Sequence, residues 1–183
     1  AAAWACGALD LENAIRVIVA RSTAQGKTRG TGRMAAVGLS AVAMQEFLQE
    51  LGKELTIAIA GINSPNNITI SGNLVDLEHL QTYFEKKGTF FRLLDLDYAF
   101  HSPHMDPIEP LLTQSLYGLQ PIATDKMTFV STVTGTPLNT ELLDATYWWK
   151  NVREPVRFSD AIAALSNLGC HIFIEISPHA ILQ

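Results

Sequence analysis

The chain is short of charge, cysteine and long apolar runs. Asp, Glu, Lys and Arg make up 17% of 183 residues against 48% hydrophobic, which excludes a chain too polar to bury a core. No stretch reaches the ~18 apolar residues of a membrane span, and no charged head, apolar stretch and cleavage site form a signal peptide. Basic clusters are missing too. With Lys+Arg 13 against Asp+Glu 18 and a net charge of −5, neither nucleic acid nor a membrane surface is an expected partner. Two cysteines, Cys6 and Cys170, are too few for a disulfide framework and lack C-x-x-C spacing, so both are expected as small buried hydrophobes of a cytoplasmic chain. Heptads, repeats and low-complexity tracts are absent. The length fits one domain, with or without a small inserted unit.

What is present is a clear order of elements. Residues 1–25 read as helical, broken at Gly7-Ala8-Leu9 and restarted by an N-cap at Asp10. Leu11, Ala14, Ile15, Ile18, Ser22 and Gln25 share one face, expected to be buried, and Arg21 falls among them where a core residue belongs. Position alone also allows an arginine that snorkels outward at the helix end. The glycine-rich stretch 28–33 has no G-K-[ST] after it and reads as a hinge. Strands at 34–37, 55–62, 68–71 and 90–96, with helices capped by Ser40 and Asn73 between them, give β-α-β-β-α-β, the ferredoxin-like order. Beyond Asp97 come a short helix around Ile108 to Leu116, a strand at 127–133 and a helix carrying Phe158, Ala161, Ile162 and Leu165. The apolar run 172–176 is expected as a strand buried on both faces of a parallel sheet. The expected architecture is an α/β body of residues 1–27 and 98–183, interrupted by a small α+β unit over 28–97.

The densest polar cluster is Asp97-Tyr98-Ala99-Phe100-His101-Ser102-Pro103-His104, at the junction of the two units. A histidine on a loop after a strand, in a crevice between units, is placed to act as acid or base, although a turn residue would read the same way. His101 and His104 also form H-x-x-H, but zinc needs three or four ligands and no others stand nearby in sequence, so no metal is expected. His79 and His171 read as structural. His179 follows the last strand at the edge where α/β sheets bind ligands, and is expected to line the site. No serine occupies a G-x-S-x-G elbow: Ser71 sits in a hairpin, and Ser102 is too close in sequence to His101 for good activation geometry. The residues alone show a base without its nucleophile.

Four stretches resemble the acyltransferase domain of modular type I polyketide synthases and, more distantly, malonyl-CoA:acyl carrier protein transacylases. They are Ala20-Arg21-Ser22, Tyr98-Ala99-Phe100-His101-Ser102-Pro103, the run from Tyr147-Trp148-Trp149 through Asn151 to Phe158, and Glu175-Ile176-Ser177-Pro178-His179. The resemblance implies an α/β-hydrolase-like large subdomain, here incomplete, with a ferredoxin-like small subdomain inserted. It further implies that an active-site serine takes a malonyl-type extender unit from CoA and passes it to the phosphopantetheine arm of an acyl carrier protein, beside a ketosynthase domain in the same polypeptide. No cofactor is held by the chain; the CoA thioester is substrate. On this resemblance His101 is the base, a main-chain carbonyl at Asn151 orients its ring, and Arg21 pairs with the free malonyl carboxylate. Tyr98 and Phe100 belong to the motif that goes with extender choice. His-Ala-Phe-His accompanies malonyl and Tyr-Ala-Ser-His methylmalonyl, so Tyr-Ala-Phe-His is a mixture in which the bulk of Phe100 favours malonyl-CoA over methylmalonyl-CoA. Family domains are longer and carry G-H-S-x-G just ahead of the counterpart of Ala1. The uncapped Ala1-Ala2-Ala3-Trp4 start therefore reads as the helix that follows the elbow, and the chain alone is expected to be inactive. The alternatives are a non-catalytic remnant that docks carrier proteins and a metal hydrolase using His101 and His104.

Overall fold

The structure is a computed structural model and describes residues 1–52 and 55–177. Helix α1 (Ala2–Ala5) ends at Gly7, whose φ of 85° lets the chain reverse onto α2 (Leu11–Gly26). Asp10 caps α2 by accepting the Asn13 N–H at 2.7 Å.

Next come β1 (Arg33–Val37), α3 (Ala41–Leu51), β2 (Ala58–Ser64), β3 (Asn67–Gly72), α4 (Leu74–Lys86) and β4 (Phe91–Leu93). The strands form one antiparallel sheet in the order β2-β3-β1-β4, with Ala35 opposite Ile70 and Val37 opposite Ile68. This is the ferredoxin-like arrangement expected from the element order. Alternation along β1 and β3 turns Ala35, Val37, Ile68 and Ile70 to one face, where Met44 of α3 and Leu77 of α4 cover them. Ser40 caps α3 through the Ala43 N–H. Asn73 stands at the N-cap of α4 without making a capping bond, because its side chain is engaged elsewhere.

The remainder is helical around a second core. A 3-10 turn (Pro103–Ile108) leads into α5 (Glu109–Ser115), and a minimal hairpin of β5 (Val130–Ser131) and β6 (Thr136–Pro137) precedes α6 (Ala145–Arg153) and α7 (Phe158–Asn167). Val17 and Ala24 of α2, Met105, Leu112, Leu116 and Val152 meet in this core. The two parts are stitched at the edge of β2, where Ile62 N–H donates to Val156 O at 2.8 Å and Val156 N–H to Ala60 O at 2.9 Å.

Several expectations fail here. On α2 the buried side chains are Val17, Ala20 and Ala24, whereas Leu11, Ile15 and Ile18 are half exposed or more. The helix has apolar residues on both sides, and α5 and the 3-10 turn pack on the side with the smaller ones. The expected strand at 172–176 is not formed: Ile172, Ile174 and Ile176 are 86%, 82% and 92% exposed. Such a run needs a ladder on each side to become a buried strand, and no strand among the described residues lies beside it. Cys170 is exposed next to this segment, while Cys6 is buried as expected. The strand expected over 127–133 shrinks to β5.

Candidate active site

His101 lies where the chain leaves β4 and runs back to the helical part. Its φ is 57°, the one left-handed backbone among non-glycine residues described here. A histidine held in that region is strained, and the surrounding bonds must hold it there. Its Nδ1 lies 2.8 Å from the main-chain oxygen of Glu154. A carbonyl only accepts, so Nδ1 carries the proton and Nε2 keeps its lone pair. Nε2 has no hydrogen-bond partner among the described residues, which leaves it available as a base.

The orienting carbonyl was expected from Asn151, and this is corrected: Asn151 lies inside the last turn of α6, whereas Glu154 follows the helix with extended backbone, φ −80° and ψ 155°. Pro155 explains why. A residue before proline is kept out of the helical region, so the Glu154 carbonyl turns away from the helix axis. Glu154-Pro155 is the signal in the sequence for this extended residue.

Arg21 comes from the far part of α2. Its Nε is sealed from solvent and has no hydrogen-bond partner, and its guanidinium makes no ion pair among the described residues. Burial pushes the guanidinium below its ordinary pKa, partly offset by the neighbouring Tyr147. A half-buried cation with a sealed, unpartnered Nε and no anion beside it favours negative charge nearby. The Tyr147 hydroxyl is buried 2.9 Å from Ser131 Oγ, and burial raises its pKa.

His101 and Arg21 feel one another. Burial is the largest influence lowering the pKa of His101, the Glu154 hydrogen bond opposes it, and the positive charge of Arg21 lowers it further. The imidazole is therefore neutral at pH 7, the form a general base needs.

A cleft of about 430 Å³ opens at His101, between Gln45, Leu48, Ile59 and Ile62 of the sheet unit and Arg153 and Arg157 at the ends of α6 and α7. The Tyr98 and Phe100 rings stack with centroids 4.7 Å apart and planes 10° apart. Neither ring lines the cleft, nor does Arg21. His104 is engaged at both nitrogens, with Ser102 Oγ at 3.3 Å and Asn73 Oδ1 at 3.0 Å. Among the described residues no three His, Cys, Asp or Glu side chains converge as metal ligands do. His179 lies outside the described residues.

The acyl transferase domain family matches residues 1–183. Erythronolide synthase EryA2 of Saccharopolyspora erythraea is 36% identical over 182 residues, covering 100% of this chain and 5% of that protein. Among solved structures, the acyltransferase domain from module 8 of the salinomycin polyketide synthase is 33% identical with a TM-score of 0.85, covering 91% of this chain and 38% of that one. A loading acyltransferase from the avermectin modular polyketide synthase is 31% identical with a TM-score of 0.88, covering 97% and 56%. The chain thus spans about half or less of the solved acyltransferases it resembles, and its mixed α/β fold is theirs over the shared part. On the whole-chain match and on these relatives, the chain belongs to the acyl transferase domain family.

Proposed function

We propose that these residues supply the base and the carboxylate pocket of a polyketide synthase acyltransferase. That enzyme moves a malonyl-type extender unit from CoA, through a serine ester, to the phosphopantetheine thiol of an acyl carrier protein. The observation that carries this reading is the half-buried Arg21, its Nε sealed from solvent and without a partner, whose charge is felt by His101. His101 Nε2 takes the proton of the serine hydroxyl as its oxygen attacks the thioester carbonyl, then returns that proton to the departing CoA thiolate. In the second half the same nitrogen deprotonates the pantetheine thiol and reprotonates the serine. Glu154 holds the ring through both halves. The cleft at His101 is the route for the pantetheine arm, and the malonyl carboxylate satisfies Arg21.

No serine of this chain stands in an elbow. The nucleophile therefore comes from polypeptide outside residues 1–183, and the chain alone forms no acyl-enzyme. The small unit is taken as residues 28–97, and a ketosynthase domain as the neighbour in the same polypeptide. A remnant that only docks carrier proteins would have no use for a half-buried cation, its Nε sealed and unpartnered, near a neutral base. With Phe100 stacked on Tyr98, the reading favours malonyl over methylmalonyl.

The test is Arg21→Ala in the polypeptide that supplies the serine. Loss of a buried charge partner costs roughly 2–5 kcal/mol, so malonyl loading falls about 10²-fold or more while acetyl loading changes little. Removing the guanidinium also removes a charge that lowers the His101 pKa, so the acid limb of the loading profile moves to higher pH. A variant that keeps the parent malonyl-to-acetyl ratio sinks the assignment of Arg21.

A further inference from the structure

We propose that Asp97 is a positioning residue: gripped by Arg33, it fixes the segment Tyr98–His101 and thereby the orientation of His101 and the space left for an α-substituent on the acyl group. This rests on the acyltransferase reading above, and it adds a residue that no motif singled out for a role.

The chain crosses between the two cores twice, outward at 28–33 and back at 94–98, and the crossings lie side by side. Asp97 joins them by both its side chain and its main chain. Its carboxylate is in contact with Arg33 Nη1 and lies 3.7 Å from Arg29 Nε. Its carbonyl accepts the Gly30 N–H at 2.9 Å. Two residues on, fully buried Ala99 sits against Gly32, where an added Cβ would lie 2.8 Å from Ala99 Cβ and 2.6 Å from Gly72 O. Only glycine leaves that slot open. The Ser102 hydroxyl then donates to Ala99 O at 2.7 Å.

The segment is thus pinned at residues 97, 99 and 102. The side chains that leave it between the pins are Tyr98, Phe100 and His101, the first two stacked on each other and the third in left-handed backbone. A strained residue persists only where its surroundings over-determine it. Glu154 holds the ring of His101, and the pins hold its backbone. Arg33 and Asp97 are each about a third exposed, so their ion pair adds little to stability. What the pair supplies is position, one residue before the segment.

The experiment uses the full acyltransferase polypeptide and compares Asp97→Ala, Arg33→Ala, the double variant, Asp97→Glu and His101→Ala. Readouts are kcat and KM for loading, competition between malonyl-CoA and methylmalonyl-CoA, and thermal unfolding. Loss of positioning lowers kcat about tenfold with little change in KM and relaxes the malonyl preference about threefold or more, with unfolding unchanged. The double variant is no worse than either single one, since the two act as a unit, and Asp97→Glu restores most of the loss. Parent kcat and parent competition in both single variants, with His101→Ala inactive, overturn the role of Asp97 and leave the acyltransferase reading intact. Parent loading by His101→Ala overturns that reading itself.

Discussion

The sheet unit from Arg33 to Leu93 and the helical part around α2 and α5 use their apolar residues differently. In the sheet unit every strand has its partner, helices α3 and α4 cover one face, and the side chains that alternate inward, such as Val37, Ile68 and Ile70, are fully buried. In the helical part the core is real but one-sided. Met105, Leu112 and Leu116 are sealed, yet Leu11, Ile15 and Ile18 on α2 and the run at 172–176 face outward. The difference teaches where the site can be precise. His101 hangs from a segment pinned to the closed sheet unit and is braced from the helical part by Glu154, while Arg21 rides on the one-sided helix.

The largest effect expected on this comparison is in the sheet. Ile70→Ala removes a fully buried side chain of β3, with walls already paired on both sides, and should cost about 2–5 kcal/mol by chemical denaturation. A loss under about 1 kcal/mol would mean that the sheet core collapses around the gap and is less tightly built than its burial indicates.

Next in size is a change at the boundary. Phe100→Ser removes one ring of the stack with Tyr98 and opens space beside His101. A methyl-sized change in a pocket is worth ~1–3 kcal/mol, so methylmalonyl loading should rise about tenfold relative to malonyl in direct competition. Unchanged competition removes Phe100 as the selector and shifts the choice to side chains that line the cleft.

The same contrast explains how much could be read without coordinates. The β-α-β-β-α-β order, the cap at Ser40 and the core positions Leu77, Leu80 and Phe84 were legible because each depends on neighbours within one closed unit, and the cap at Asp10 because a cap depends only on the residues next to it in sequence. His101 stood out from its loop position and polar cluster before any family motif, whereas a role for Arg21 came only through the resemblance; periodicity alone placed Arg21 on the right helix with the wrong neighbours. The face of α2 failed because both sides of the helix are apolar and the choice is made by what packs against it. The strand at 172–176 failed for the same reason, since burial of a strand is a property of its partners. Glu154 was missed because the resemblance puts the orienting carbonyl at Asn151, and it is the extended backbone imposed by Pro155 that turns the carbonyl of Glu154 to the ring. Asp97 was in view as part of a polar cluster, but its partner Arg33 is 64 residues away, beyond the reach of any local pattern.

The smallest effect is the sharpest probe of the one-sided core. Ile15 is half exposed on α2, and substitutions at exposed positions away from caps and cores usually stay within about 0.5 kcal/mol. Ile15→Ser, measured by thermal unfolding of the 183-residue chain, should fall in that range, although serine is a slightly poorer helix residue in isolation. The same substitution in the full acyltransferase polypeptide separates two meanings of the exposed face. A loss there of about 2 kcal/mol, the scale for a buried Ile, would mean that α2 is a two-sided helix whose second face is covered by other parts of the polypeptide. Arg21 would then sit on a helix clamped from both sides and be as firmly placed as His101. An equally small loss in both settings would leave α2 anchored only through Val17, Ala20 and Ala24, and Arg21 the more mobile of the two side chains proposed to act.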